Sequence, residues 1–352
     1  MDGDNISLVL RKKNELCLEK RKIPEPGSHE ALIAMSCVGI CGSDVHFWKD
    51  GRLGDFIVEK PMVLGHESSG TVIKVGENVK HLKPGDRVCI EPGIGCGRCD
   101  LCRKGKYNIC PEERFCATPP TDGTLCRYFC HDADFCYKLP DHVTLEEGAL
   151  TEPLCVAVYS CRRAGVTAGQ YVLICGAGPI GLTTILACKA MGVSKICITD
   201  INENRLKVAK SLGASSTICV KDLEISDVVK EVERQLGSLP DRTIECSGAQ
   251  SGVSLGLKAT APGGLLMLVG IGLCDIKIPI IEATVREVDV RGSLRYANCY
   301  PAALELIASG AVDMKPLITH KFSLEESEKA FEIAHSGTAI KVMIYCEKDC
   351  QY

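Results

Sequence analysis

The sequence predicts an α/β chain in two parts, a β-rich domain interrupted by a doubly wound parallel α/β domain. Three observations carry this. From residue 171 to about 295, strand-length apolar runs alternate with helical patterns. One stretch, YVLICGAGPIGLTTILACKAMGVSKICITD from Tyr171 to Asp200, reads as strand, glycine turn, helix, strand and terminal acid. The regions on either side are short alternating runs broken by proline and glycine. The predicted boundaries are 1–153 and 297–352 for the β-rich domain and 154–296 for the inserted one.

Taken in order, residues 5–40 read as strands punctuated by Pro24, Pro26 and Gly27. Residues 70–92 and 124–138 are strand-like again, and the segment 93–123 between them is loop-like and rich in cysteine. A helix over 146–164 leads into the central unit. There the strands end near Asp200, Val220, Cys246 and Gly270, with a further strand over 288–294. Helical patterns at 202–212 and 225–236 fill the gaps. The chain then returns through a helix after Pro301, a strand over 317–322, a helix over 324–335 and a strand over 340–345.

Composition removes several classes of function. Net charge is −4, from 41 basic and 45 acidic residues, so a nucleic-acid partner is not expected. No uncharged apolar run reaches membrane-spanning length, and the N-terminal MDGDNISLVL is unlike a signal peptide. A cytoplasmic protein without a membrane partner is expected. Its 23 cysteines then read as thiols and metal ligands rather than disulfides. Cys175, Cys188, Cys197 and Cys246 lie singly in apolar runs and are expected to be buried.

The glycine turn has the G-x-G-x-x-G spacing at Gly176, Gly178 and Gly181. Gly176 permits the tight turn, Gly178 leaves room for a pyrophosphate, and Gly181 lets the helix approach the strand. The helix N-terminus offers free N–H groups to the phosphates. Asp200 would accept hydrogen bonds from the adenosine ribose hydroxyls, which predicts NAD as the cofactor.

Two sets of metal ligands stand out. Cys96, Cys99, Cys102 and Cys110 follow C-x2-C-x2-C-x7-C in a loop with Gly95, Gly97 and Gly105. Four thiolates close a tetrahedral zinc site, which is the structural kind. The spacing is superficially like an iron–sulfur run, but no second cluster motif accompanies it. The other set is dispersed: Cys41, His66, Glu67 and Glu152. A catalytic zinc takes three protein ligands and keeps a position open, and the residues leave undecided whether Glu67 or Glu152 binds directly.

These motifs together resemble the zinc-dependent medium-chain dehydrogenases over the whole chain. The resemblance rests on Gly39-Ile40-Cys41-Gly42-Ser43-Asp44-Val45-His46, Gly65-His66-Glu67, the four-cysteine loop and the glycine turn. Glu152-Pro153-Leu154 and Arg295-Tyr296 are similar to the polyol-dehydrogenase branch. The resemblance implies a GroES-like catalytic domain, a Rossmann domain for NAD, two Zn²⁺ per chain, a small polyol or ketose substrate and a homotetramer. It implies Cys41, His66 and Glu67 at the catalytic zinc, with Ser43, His46 and Glu152 as catalytic groups. Phe47, Glu152, Arg295 and Tyr296 would meet the substrate. Ile180, Asp200, Arg205, Val269, Gly270, Ile271, Ser293, Leu294 and Arg295 would line the cofactor. Polyol dehydrogenases commonly carry Tyr where this chain has Phe47, which keeps the ring and loses a hydroxyl. The rival readings are a dehydrogenase of xylitol, threonine or a simple alcohol, and a non-catalytic NAD-binding protein.

Overall fold

The computed structural model describes residues 5–272 and 275–347. The chain divides into two compact units. One runs to Glu152 and takes up Tyr300–Gly310 and the chain from Met314 onward; the other is Pro153–Cys299 with Ala311–Asp313. The first boundary falls inside a single helix, Leu145–Ala164, which carries Pro153. Thr144 starts that helix: its hydroxyl accepts from the Glu147 N–H, and Glu147 accepts from the Thr144 N–H in return.

The first unit is built on the strand Glu30–Gly39, EALIAMSCVG, whose near-continuous burial marks it as central. Glu67–Val75 runs antiparallel along one edge of it. The other edge is shared. Lys341–Tyr345 pairs with Cys37, Val38 and Gly39, while Tyr128–Asp132 pairs with residues 30–34. Arg87–Ile90, Cys136–Lys138 and Ile318–Ser323 complete the seven-stranded sheet. A smaller sheet of Glu15–Arg21, Asn5–Lys12 and Met62–Val63 stands apart from it. Leu8, Leu10, Ile33, Met35, Leu64, Ile90, Leu125 and Phe331 fill the core. Each such side chain contributes about 1.5–3 kcal/mol by leaving water.

One helix of this unit was not legible in the sequence. Gly42–Asp50 is helical, with Cys41 at its N-cap and Gly51 closing it at φ 73°. Its apolar residues, Val45, Phe47 and Trp48, are too few to print a clear helical period. Phe47 and Trp48 point into the core, 2% and 5% exposed. Phe47 packs with the core of this unit.

The second unit is a six-stranded parallel sheet. Its order is Ser216–Cys219, Lys195–Asp200, Tyr171–Cys175, Arg242–Glu245, Leu265–Leu268, Asp289–Gly292. The chain starts in the middle, winds outward to one edge, returns, and winds to the other. That doubly wound order places a switch point beside the first strand. Helices Pro179–Ala190, Glu203–Leu212, Ile225–Leu236 and Gln250–Ala259 connect the strands. Asn202 caps the second of these by accepting from the N–H groups of Asn204 and Arg205. Cys175, Cys188 and Cys197 are buried as expected; Cys246 is only partly so, because it sits in a loop past its strand.

Candidate functional site

The glycine turn is constructed as its spacing requires. Gly176 has φ 96°, which disfavours any residue with a Cβ. A Cβ on Gly181 would stand 1.8 Å from the Gly176 carbonyl oxygen, so only glycine lets the helix come this close. A Cβ on Gly178 would meet nothing within 4 Å, leaving open space where a pyrophosphate approaches. Gly178 is also the N-cap of Pro179–Ala190. Ile180 and Arg205 are half-buried, as are Val269 and Gly270, while Ile271 and Leu294 are exposed.

Asp200 has a role the sequence did not reveal. Its carboxylate accepts from Ala177 N–H at 2.6 Å and from Asn202 N–H at 2.8 Å. It therefore tethers the glycine turn to the next strand. Each oxygen keeps a second lone pair for another donor.

In the first unit, Cys41, His66 and Glu67 bring one ligand atom each to within 4.8 Å of the others. Three local causes put them there. Cys41 is the N-cap of Gly42–Asp50, where the helix dipole favours an anion. His66 and Glu67 open the strand Glu67–Val75 after Gly65, which turns at φ 88°. A Cβ on Gly39 would stand 2.2 Å from a Glu67 carboxylate oxygen, so this glycine makes room for the side chain. Glu152, 4% exposed, does not join the three-ligand group among the described residues.

Two partners of this group were missed. Asp44 is fully buried; it accepts from Cys41 N–H at 3.1 Å and Gly65 N–H at 3.0 Å. Its other reach is to His66, whose Nδ1 lies 3.5 Å from Asp44 Oδ1. That separation suits an ion pair and is too long for a hydrogen bond, and the His66 Nδ1 has no bonded partner. Burial lowers the pKa of His66, but the charges of Asp44 and Cys41 outweigh it and hold it well above the ordinary imidazole range. Carboxylates behind a metal-binding histidine orient its ring. The second partner is Lys341, 3% exposed. Its Nζ donates to both Glu67 oxygens, at 2.6 and 2.5 Å, and to the Ile40 carbonyl at 3.1 Å. The one signal in the sequence was a lysine inside the apolar run IKVMIY.

Ser43 and His46 lie on the same helix as Asp44. His46 is half exposed, and its Nδ1 is 2.9 Å from Asp50 Oδ2, one turn on. Arg295 is in the second unit with φ 49°, a left-handed backbone that non-glycine residues rarely adopt. Tyr296 beside it is 2% exposed.

The four-cysteine set forms a second group, again with all sulfurs within 4.8 Å of one another. Cys96 and Cys102 sulfurs are 4.0 Å apart, and those of Cys99 and Cys110 are 3.8 Å apart. A zinc–sulfur bond of about 2.3 Å gives a tetrahedron with edges of roughly 3.8 Å, so the thiols fit zinc. Backbone N–H groups of Arg98 and Cys99 pull the Cys96 thiol down to about 6, whereas burial pushes Cys102 up to about 12. The base of the loop is closed by pairing of Gly93–Ile94 with Arg114–Phe115. Tyr107, between the last two cysteines, donates its hydroxyl to buried Glu91 at 2.6 Å.

A nucleotide turn in one unit and two zinc-competent ligand sets in the other define an oxidoreductase of the metal-dependent kind. Comparison with known proteins agrees: residues 27–141 match the alcohol dehydrogenase GroES-like domain and residues 179–309 match the zinc-binding dehydrogenase domain. The chain belongs to the zinc-binding dehydrogenases of the medium-chain family. Among its relatives, sorbitol dehydrogenase of Rattus norvegicus is 53% identical over 349 residues, covering 99% of this chain and 98% of that one. Solved structures include L-idonate 5-dehydrogenase from Escherichia coli, with TM-score 0.91, 28% identity and coverage of 98% and 99%. Another is a short-chain alcohol dehydrogenase of E. coli complexed with NADH, with TM-score 0.90, 27% identity and coverage of 97% and 100%.

Proposed function

We propose that the chain is an NAD-dependent zinc polyol dehydrogenase. It oxidises a secondary hydroxyl of sorbitol, or of a related polyol such as xylitol or iditol, to the ketose, reversibly. The observation that carries this is the convergence of Cys41, His66 and Glu67, with Asp44 and Lys341 behind them, in a chain whose other unit holds the glycine turn and Asp200. The likeness to rat sorbitol dehydrogenase supports the polyol substrate.

Cys41, His66 and Glu67 hold the catalytic zinc, which when bound supplies the Lewis acidity that makes an alcohol proton easier to remove. NAD supplies the hydride acceptor. The chain's own residues do the rest. Ser43 and His46 carry the proton away, with Asp50 holding His46 Nδ1 so that Nε2 is left to exchange protons. Arg295 and Tyr296 pair the hydroxyls of the polyol, and Glu152 takes another. Asp200, Arg205, Ile180 and the segment 269–271 receive the dinucleotide, together with Ser293 and Leu294. A site built to pair many hydroxyls rejects a simple alcohol that leaves those groups unmatched.

The assembly is a homotetramer in the cytoplasm. Supporting an association through the second unit, its edge strand Asp289–Gly292 is exposed along its length, and Ile280, Ile281 and Val285 are 56%, 62% and 69% exposed. Among the described residues, no helix is long and apolar enough to cross a membrane. The test of function is absorbance at 340 nm with NAD and sorbitol, xylitol, threonine and ethanol in turn. Turnover of sorbitol and xylitol well above threonine and ethanol is expected; a preference for threonine or ethanol contradicts the reading, and no turnover with any of them favours a binding protein.

A further inference from the structure

In the second unit, one buried carboxylate holds two loops at the carboxyl edge of the parallel sheet. Glu245 ends the Arg242–Glu245 strand, in register with Cys175 on one side and Leu268 on the other. Its main-chain carbonyl accepts from both Val269 and Gly270 N–H groups, each at 2.9 Å. Its side-chain Oε1 accepts from Ser247 N–H at 2.8 Å, and its two oxygens share the Gly248 N–H at 3.2 and 3.1 Å. The Ser247 hydroxyl donates to the same Oε1 and accepts from Ala249 N–H at 3.1 Å, just before the helix Gln250–Ala259. Glu245 is 0% exposed. Burial pushes its pKa up, and the donors of Ser247 and Gly248 oppose that without reversing it.

The two loops interlock. A Cβ on Gly270 would stand 2.1 Å from the Gly248 nitrogen, and one on Gly272 would stand 2.0 Å from the Gly248 oxygen. Gly248 itself has φ 68° and would meet Ile271 backbone at 2.7 Å. Across the first strand, a Cβ on Gly176 would meet Ser247 at 3.0 Å. The 246–248 loop therefore cannot shift without moving its neighbours. Gly252 gives Glu245 its room, since a Cβ there would meet Oε1 at 2.6 Å.

Sheet order says which half of the cofactor these loops serve. The pyrophosphate lies at the glycine turn after Tyr171–Cys175. Asp200, one strand to one side, marks the adenosine half; Glu245 is one strand to the other side. We propose that Glu245 is a positioning residue for the nicotinamide half of the cofactor: its carboxylate fixes the 246–248 loop, and through it 269–272, in the shape that receives the ring. It does so without touching the cofactor. This rests on the reading of the chain as an NAD enzyme.

The test uses the full-length, zinc-loaded protein and the variant Glu245→Gln, which keeps the shape but turns one acceptor into a donor facing Gly248 N–H. Losing a hydrogen bond to a charged acceptor predicts that the affinity for NAD falls about tenfold or more, with KM for NAD rising in step. Affinity for AMP, which has no nicotinamide, stays unchanged, as does zinc content. Amide exchange speeds up at 246–248 and 269–272 and not at Asn202. Equal weakening of AMP and NAD assigns Glu245 a merely structural role and overturns the proposal, as does unchanged NAD affinity. A wild type that binds AMP but not NAD overturns the cofactor reading, and the proposal with it. Should Glu245→Gln fail to fold, Ser247→Ala removes the hydroxyl's bond to Glu245 and the one it accepts from Ala249 N–H, and leaves the Ser247 and Gly248 N–H bonds to the carboxylate. It must show the same selectivity for NAD over AMP on a smaller scale, about threefold, or the proposal is wrong.

Discussion

The two ligand sets of the first unit are made in opposite ways. The four cysteines come from a single segment, Cys96 to Cys110, and local N–H groups surround their sulfurs: Cys99, Cys102 and Glu112 each direct an N–H to a cysteine sulfur at 3.4 Å. Three of the four are only half-buried. Cys41, His66 and Glu67 instead come from a helix cap and a strand entry, and Glu67 is held by a lysine 274 residues away in the chain. His66 and Glu67 are 5% and 1% exposed. The loop's ligands are neighbours in the chain, whereas the fold of the unit brings the other three together. The first metal should therefore matter to stability and the second to chemistry.

The largest expected effect separates them directly. Cys41→Ala should remove one of two zinc equivalents and lower turnover by on the order of a thousandfold or more, because several kcal/mol of charge stabilisation go with the metal. Its melting temperature should change little. Cys99→Ser should remove the other equivalent and lower the melting temperature while turnover persists. Metal analysis, thermal unfolding and activity on the same two preparations decide. The opposite pattern would exchange the roles of the two sites.

Next comes the lysine behind Glu67. Lys341→Met leaves a buried carboxylate without its partner, which costs about 3–5 kcal/mol. Burial lowers the pKa of Lys341, and the charges of Glu67 and Cys41 more than restore it. Urea unfolding of wild type and variant, both stripped of zinc, measures the loss. Adding Glu67→Gln to Lys341→Met should recover most of it, since the stranded charge is gone. A loss below about 1 kcal/mol would mean that water reaches Glu67 and the site is less preformed than the comparison requires.

What the sequence made legible follows the same division. The cysteine loop and the glycine turn are local, so their spacing alone identifies them. Cys41, His66 and Glu67 needed the resemblance to be assembled; Asp44 was invisible because nothing local marks a capping aspartate as part of a site, and Lys341 was marked only as a lysine in an apolar run. The helix Gly42–Asp50 escaped because its buried face is Phe47 and Trp48 rather than a repeating stripe. The parallel sheet was legible because its inner strands Tyr171–Cys175, Lys195–Asp200 and Leu265–Leu268 are largely buried and read as apolar runs.

Asp200 lies between these extremes, a local motif residue with a non-local contact. A 2′-phosphate beside its carboxylate costs on the order of 3 kcal/mol at intermediate dielectric, so wild type should prefer NAD to NADP by about a hundredfold. Asp200→Ala should erase much of that preference. Because Asp200 also accepts from Ala177 N–H, the variant should bind NAD itself more weakly, by about tenfold. The ratio of kcat/KM for the two cofactors reads the first effect, and the dissociation constant for NAD reads the second. A wild type indifferent to the phosphate would contradict the assignment, and unchanged NAD binding in the variant would show that the tether to the turn is idle.

The smallest effect concerns how the cysteine loop is anchored. Glu91 is 0% exposed and accepts from the Tyr107 hydroxyl at 2.6 Å and the Tyr137 hydroxyl at 2.8 Å. Burial raises its pKa above the ordinary glutamate value, and the two phenols lower it by less. The sign of the pH effect follows. Between the ordinary value and the raised one, the unfolded chain has lost this proton and the folded chain has kept it, so stability falls as pH rises through that window. The contribution is fully present below the ordinary value. Glu91→Gln mimics the protonated acid, offering one acceptor and one donor, and should match wild type to within about 1 kcal/mol at low pH. As pH rises through the window, the difference in unfolding free energy should move in favour of the glutamine variant. Denaturant melts at several pH values give that difference directly, with all other groups cancelling. A difference that moves the other way would mean that the phenols hold Glu91 as a carboxylate, and that the loop is anchored by a charge rather than by a neutral acid.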